Sequence, residues 1–417
     1  MRDSSLSFLA FLRRNARWLT GGILLTFCSS AGQTFFISLF AGQIRAEFAL
    51  SHGDFGFLYM LATLASAGTL IWLGKLADKV TIVRLAGCWI IALAAAASLM
   101  AMANSITTLL MSLYFLRLFG QGMLSHTALV AMGRWFHAER GRAVSVATVG
   151  HQLGDGLLPL LVVGLLIVVD WRSVWFFASI ALLLIALPLS QVLLHLPRQP
   201  SSKDRDNFER GRQWTRKEVL HDIPFWAVCT GVLAPSFIGT SVFFHQVHLA
   251  ELKQWSLTVI ASSFGLLSIT SVVVGLLTGQ LIDRFSARVI LPFFLFPLSL
   301  GCLVLGVFDV PLAMFLFMAL LGTSYGIASG VFGAIWPESY GTRHLGSIRA
   351  VVSAAMVFAS ALGPGVTGWL IDLGVGFERQ LLAMSLYCVA MMLVLFPVSR
   401  VLVLRNHAIL AGAESSG

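Results

Sequence analysis

Arg117 is a lone cation inside a long apolar stretch, and its chemistry sets the first expectation. A charge near the middle of a membrane helix costs about 2.5–3.5 kcal/mol on insertion scales, so such a residue faces a cavity or a partner. The only acid deep in another apolar run is Asp155. Helical rise puts the two within about 5 Å in depth, and an ion pair between them is the expectation. His151 precedes Asp155 by one turn, on the same helix face. A histidine beside a carboxylate and an arginine titrates near neutral pH. These three residues are candidates for holding an anion or carrying a proton. The alternatives are a structural ion pair and a histidine satisfied by a backbone carbonyl. His245 and His248 are spaced for metal binding, but two ligands do not make a site. Interfacial polar residues are the expectation there, and no metal or cofactor is expected.

The elements that must position these residues are apolar. Of 417 residues, 57% are hydrophobic and 11% charged, too apolar for a soluble domain. The apolar residues fall into twelve runs of about 20, each long enough to cross a roughly 30 Å hydrocarbon layer. They cover approximately 18–40, 55–73, 83–103, 106–132, 143–168, 171–194, 224–250, 256–279, 289–307, 311–336, 348–372 and 379–402. The first run follows Arg13, Arg14 and Arg17, but it is too long for a signal-peptide core and lacks a clean cleavage site. The net charge of +9 does not point to nucleic acid. With the N-terminus inside, all but five of the 28 Lys and Arg lie in cytoplasmic segments. The exceptions are Arg45, Arg172, Lys253, Arg379 and the intrahelical Arg117. This is the positive-inside pattern, and it places both termini in the cytoplasm. The five cysteines all fall within apolar runs without a C-x-x-C pair and read as small core residues.

One motif occurs twice. Gly74-Lys-Leu-Ala-Asp78-Lys79 follows the second run and Gly279-Gln-Leu-Ile-Asp283-Arg284 the eighth, 205 residues apart. The same offset maps Gly141 onto Gly346 and Pro159 onto Pro364. The chain therefore reads as an all-α membrane protein of twelve transmembrane helices in two pseudo-symmetric six-helix bundles. The expected organisation is a bundle over 1–194, a charged cytoplasmic linker over 195–223, a second bundle over 224–405 and a short tail over 406–417. A short surface helix is expected near 214–220. Gly150-x-x-x-Gly154 and Gly275-x-x-x-Gly279 should let helices approach closely, and Gly363-Pro364-Gly365 should weaken its helix.

Twelve helices, a central linker and the doubled G-x-L-x-D-[KR] motif resemble the major facilitator superfamily over nearly the whole chain. Arg117-Leu-Phe-Gly120-Gln-Gly122 is similar to that family's R-x-x-x-G-x-G segment. Trp135-Phe136 with Arg140-Gly141-Arg142, and Trp336-Pro337-Glu338 through Gly346, resemble its cytoplasmic loops. The loops are most similar to bacterial permeases of the oxalate/formate and monocarboxylate type. Thr81 and Ser286 stand where the family motif usually has Gly, and Gly154 is followed by Asp155 rather than the Pro of drug antiporters.

The resemblance implies a secondary transporter of the bacterial inner membrane working by alternating access. No Walker loop or other enzyme signature is present in the sequence, so ATP is not the expected energy source. The first, fourth, seventh and tenth helices would line the cavity. Ser30, Gln33, Gln121, Thr240, Tyr325, Ser329 and Trp336 are the polar and aromatic candidates for its wall. Gly74, Asp78, Lys79, Gly279, Asp283 and Arg284 would form a conformational latch. Aromatic residues beside an arginine suit a small organic anion such as a monocarboxylate, with protons as the coupling ion. Export of drugs or other amphipathic compounds is the alternative, and a receptor or scaffold role a remote one. The expected partners are the solute, protons and lipid around a monomer.

Overall fold

The computed structural model describes residues 2–136, 139–196, 213–341 and 343–414, and every element among them is helical. Ten helices are long and apolar enough to cross a membrane. The number rises to eleven if Ala10–Gly32 and Thr34–Phe48, bent by 44°, form one span. The twelve-run reading differs over 106–135. This stretch is helical, but it is not among the ten because Arg117, Gln121 and His126 dilute its apolar character.

Contacts divide the chain into two units, Met1–Leu50 with Leu61–Arg205, and Ser51–Met60 with Asp206–Gly417. Residues 51–60, assigned by chain order to the N-terminal bundle, group with the second unit.

The helices that carry the first unit are α1 (Arg2–Cys28), most of α2 (His52–Leu73), α3 (Ile82–Ala101), α4 (Ile106–Phe115), α5 (Ser125–Trp135), α6 (Arg140–Leu165), α7 (Trp171–Ala181) and α8 (Leu187–Leu194). A π-helix over Leu116–Leu124 joins α4 to α5, and another over Leu182–Ala186 joins α7 to α8. Without a hydrophobic force between helices in lipid, association rests on close packing and polar links. Both are visible. A Cβ on Gly150 would sit 2.1 Å from the Ile23 carbonyl, and one on Gly154 would sit 1.9 Å from Ser30 Oγ. Gly150 thus lets α6 lie against the α1 backbone, and Gly154 makes room for the Ser30 side chain just beyond α1. Thr26 Oγ1 crosses that seam to donate to the Ala147 carbonyl at 2.6 Å. Ser98 donates to Ser179 Oγ at 2.9 Å and Ser179 to the Ala94 carbonyl at 2.8 Å, tying α3 to α7. Asp170 caps α7 by accepting from the Ser173 amide at 2.8 Å. Hydrogen bonding by the Ser173 side chain and backbone holds that carboxylate below its usual range.

The second unit contains α9 (Ile223–Phe244), α10 (Leu257–Phe285), α11 (Phe296–Val307), α12 (Leu312–Tyr340), α13 (Leu345–Asp372) and α14 (Phe377–Glu414). A Cβ on Gly326 would meet the Gly275 amide nitrogen and Ser271 carbonyl at 2.8 Å, so α10 and α12 touch at Gly275. Gly279 has no such neighbour. Pro364 lies inside α13, 205 residues after Pro159 inside α6, and both helices continue past it. Ser299 and Ser385 exchange hydrogen bonds between α11 and α14. At one end of this unit Lys253 pairs with Asp309 and, at 3.8 Å, with Glu378, gathering two interhelical turns and the first turn of α14. The N-terminal turns of α2 belong at that end. Asp372 accepts from the backbone nitrogens of His52 (3.2 Å) and Gly53 (2.7 Å), while Phe55 stacks on Phe244 at 5.0 Å. At the opposite end of α14, Arg405 binds Asp222 through two 2.9 Å hydrogen bonds, and Tyr340 adds a third at 2.8 Å. Before them comes the short helix Arg216–Leu220, started by a Thr215–Glu218 capping box, where the sequence predicts a surface helix. Among the cysteines, Cys28, Cys229, Cys302 and Cys388 are buried; Cys88 is exposed, which corrects its reading as core.

Candidate functional site

The site of the first unit forms where α1 breaks. After Cys28 the chain tightens into the 3₁₀ turn Ser29–Gly32, and Gln33 is extended at φ −81°, ψ 154° before the short helix Thr34–Ile37. A broken helix inside a membrane is tolerated only where other groups take up its backbone. Arg117 does so, with Nη1 donating to the Gly32 carbonyl at 3.1 Å. The residue is 2% exposed and sits in the first turn of the π-helix. Backbone approach makes the contact possible, since a Cβ on Gly120 would lie 2.7 Å from Gly32 Cα. π-Helical turns inside α-helices recur at functional sites because they re-aim side chains.

On the other side of α1 is His151. Ser29 Oγ donates to the Thr26 carbonyl at 2.6 Å and lies 3.3 Å from His151 Nδ1. Asp155 follows one turn later on the same helix, half-buried. The expected ion pair between Arg117 and Asp155 is not among those of the described residues. The reason is the path of helix one. Ser30 faces Gly154 of α6 while Gly32 faces Gly120 and Arg117. In a 3₁₀ turn, with about three residues per turn, residues two apart project about 120° apart, so the broken segment meets Arg117 and α6 on different sides.

The remaining wall candidates are dispersed. Gln33 and Gln121 are half-buried near the break. In the second unit Thr240 Oγ1 returns to the carbonyls of Ser236 (2.6 Å) and Phe237 (3.1 Å) on its own helix. Tyr325 reaches the Pro235 carbonyl at 3.3 Å across the gap left by Gly239, and Ser329 bonds the Gly326 carbonyl at 2.9 Å. Trp336 is corrected from wall to core: it is 1% exposed, edge-on to Phe225 and stacked on Tyr340. Its polar-stripe spacing matched a helix face that turns toward α9.

The latch candidates lie at helix ends. Gly74–Asp78 is a 3₁₀ turn whose backbone is held by Arg134, which donates to the Ala77 carbonyl, and by His126 Nε2, 3.3 Å from the Gly74 carbonyl. Lys79 and Arg284 are exposed, and Arg284 lies over the Phe285 ring. The side chains of Asp78 and Asp283 lie outside the described residues. His245 Nε2 is 3.3 Å from the Pro364 carbonyl, and the His248 ring packs on His52 at 4.2 Å. Ser29 and the Gly32 carbonyl are site groups that the sequence reading missed. The small polar cluster Ser29-Ser30-Ala-Gly32 ahead of Gln33 was the available signal.

A helical bundle in which a buried arginine caps a discontinuous apolar helix defines a polytopic membrane protein with an internal polar site. The family model of the Major Facilitator Superfamily matches residues 22–364 and 236–409, and the chain belongs to that superfamily of transporters. It is 25% identical over 200 residues to the glycerol-3-phosphate transporter of Bacillus subtilis (strain 168), covering 44% of this chain and 45% of that one. It is 24% identical over 253 residues to the uncharacterized MFS-type transporter YcxA of the same strain, covering 58% and 60%. The chain thus spans about half the length of the curated relatives it matches. Among solved structures, a bacterial homolog to the human lysosomal transporter Spinster, in an inward-facing and unoccupied conformation, superposes with a TM-score of 0.72. That match has 16% identity and covers 94% of this chain and 98% of the homolog. The nucleoside transporter NupG gives 0.65 at 14% identity, covering 91% and 99%. At these identities the likeness is one of fold.

Proposed function

We propose that the chain is a secondary active transporter that moves a small organic anion, such as a monocarboxylate, by alternating access coupled to protons. The observation that carries the reading is the buried Arg117 at the break of helix one. A guanidinium presents five donors in a planar fork, a geometry that carboxylates and phosphates match. Broken helices with exposed backbone are where membrane transporters build solute sites. His151 and Asp155 serve as the proton groups on the other side of the break. The glycerol-3-phosphate transporter among the relatives carries an anion by name, which fits a cation at the site. On this reading the chain has twelve spans, the 1–194 and 224–405 bundles joined by the 195–223 linker, cytoplasmic termini, and a place as a monomer in the bacterial inner membrane. The doubled motif acts as its latch.

Proteoliposomes with an imposed pH gradient test it. The purified protein should accumulate a small carboxylate or organophosphate anion. Arg117→Ala should abolish accumulation, and Arg117→Lys, which keeps the charge but loses the fork, should raise KM. Undiminished gradient-driven uptake by a folded Arg117→Ala protein would refute the assignment.

A further inference from the structure

The second unit contains a cavity that the transport site does not use. It lies between α9, α13 and α14, and its volume is about 530 Å³. Phe237, Phe358, Leu362, Leu370, Ala383 and Tyr387 make its walls almost wholly apolar. Phe358 and Tyr387 are 52% and 42% exposed, so the cavity is a groove open at the side of the unit.

Its length is informative. Along α13 the lining runs from Phe358 to Leu370, twelve residues or about 18 Å of helix. Half of a roughly 30 Å hydrocarbon core is about 15 Å. The groove is therefore one leaflet long, and it starts at the turn between α13 and α14, where an interface would lie.

That end is the polar one. Arg379 and Gln380 line it. Arg379 is exposed and takes part in none of the ion pairs among the described residues. Its neighbour Glu378 is turned to Lys253. Gln380 is 4% exposed, and its Nε2 donates to the carbonyls of Thr367 (3.3 Å) and Val375 (2.9 Å), both of which line the groove. Carbonyls only accept, so the amide orientation is fixed and Oε1 is an acceptor. That oxygen is buried and takes no hydrogen bond from the protein. A buried acceptor without a donor is destabilising, so a ligand that brings a donor is favoured there.

We infer that this groove is a phospholipid site that takes one acyl chain of phosphatidylglycerol. The phosphate meets Arg379, and a head-group hydroxyl donates to Gln380 Oε1. An apolar slot one leaflet long, a cation at its interfacial end and an acceptor needing a donor are the three features of that lipid in complement. Phosphatidylcholine with the same chains has no head-group donor for Gln380, and its choline cation offsets the phosphate that would meet Arg379, so it is held less well.

The full-length protein, purified in detergent, is incubated with either lipid and bound molecules are counted by native mass spectrometry. Retention of one phosphatidylglycerol at least tenfold above phosphatidylcholine is expected. Ala383 is exposed in the groove wall, so Ala383→Trp should fill the slot and lose that lipid at an unchanged melting temperature. Arg379→Ala, at an exposed position, should lower phosphatidylglycerol retention toward that of phosphatidylcholine. Equal retention of the two lipids by the wild type overturns the inference. So does undiminished retention by either variant, or a wild-type dimer that Ala383→Trp dissociates, which would give the groove to a second copy.

Discussion

Substitution at Gly154, read against Gly150, tests the packing that holds the broken helix in place. An alanine Cβ at 154 would meet Ser30 Oγ at 1.9 Å and Ser30 Cβ at 2.9 Å, while the nearest backbone atom, the Phe27 carbonyl, is at 3.8 Å. The clash is thus with one small side chain. At 150 the obstacles are the Ile23 carbonyl at 2.1 Å, Thr26 Oγ1 at 2.1 Å and the Phe27 amide nitrogen at 2.8 Å, two of them backbone. Overpacking of this kind typically costs 1–3 kcal/mol, about 2–12 °C in melting temperature for a unit of this size. Gly154→Ala should melt within that range below wild type, and Gly150→Ala at its lower edge or beyond. Ser30→Gly removes the atoms that oppose the new methyl, together with a buried hydroxyl that makes no bond. The pair Gly154→Ala/Ser30→Gly should therefore recover at least half the loss, with a coupling energy of about 1 kcal/mol. Thr26→Gly should not rescue Gly150→Ala, because backbone remains in the way. Melting curves of the four variants and the two pairs in one detergent decide it. Coupling at 154/30 below about 0.3 kcal/mol, the ordinary error of additivity, or rescue at 150/26, would refute the packing scheme.

Three further outcomes are expected. Asp372→Ala removes the acceptor for the His52 and Gly53 backbone nitrogens; loss of such a cap costs about 1 kcal/mol, read as a lower melting temperature. Asp222→Ala leaves Arg405 and the Tyr340 hydroxyl without their shared carboxylate. Limited proteolysis should then cut near residue 214 faster than in wild type, whereas Asp222→Asn, which still accepts from both, should be intermediate. His151→Ala removes the imidazole beside Ser29. It should flatten the pH dependence of uptake without abolishing exchange of solute at equal pH, which counterflow assays measure separately.

Most helices were readable because apolar runs are long and local. The runs predicted at 256–279 and 311–336 correspond to Leu257–Phe285 and Leu312–Tyr340. Their extra turns are amphipathic ends that hydropathy alone cannot include. The break in the 18–40 run was not readable. Neither Gly32 nor Gln33 stops a helix by itself, and the distortion depends on Gly120, which is 88 residues away in sequence. Arg117 was conspicuous because a charge in lipid must be accommodated. Its partner was misjudged because depth along a helix says nothing of direction around it, and a π-turn shifts that direction without a sequence mark. Trp336 shows the same limit: polar spacing located a face and not what that face meets.

The knot of Trp214, Asp222, Tyr340 and Arg405 fastens the entry into the second unit to its last helix. The Trp214 amide bonds the Tyr340 carbonyl at 3.1 Å, and the Arg405 guanidinium lies over the indole. A truncation that stops the polypeptide before residue 405 would therefore unmoor a segment almost two hundred positions upstream. Fluorescent fusions at the C-terminal side should join the chain beyond that arginine, or they will report on a loosened hinge instead of the working protein.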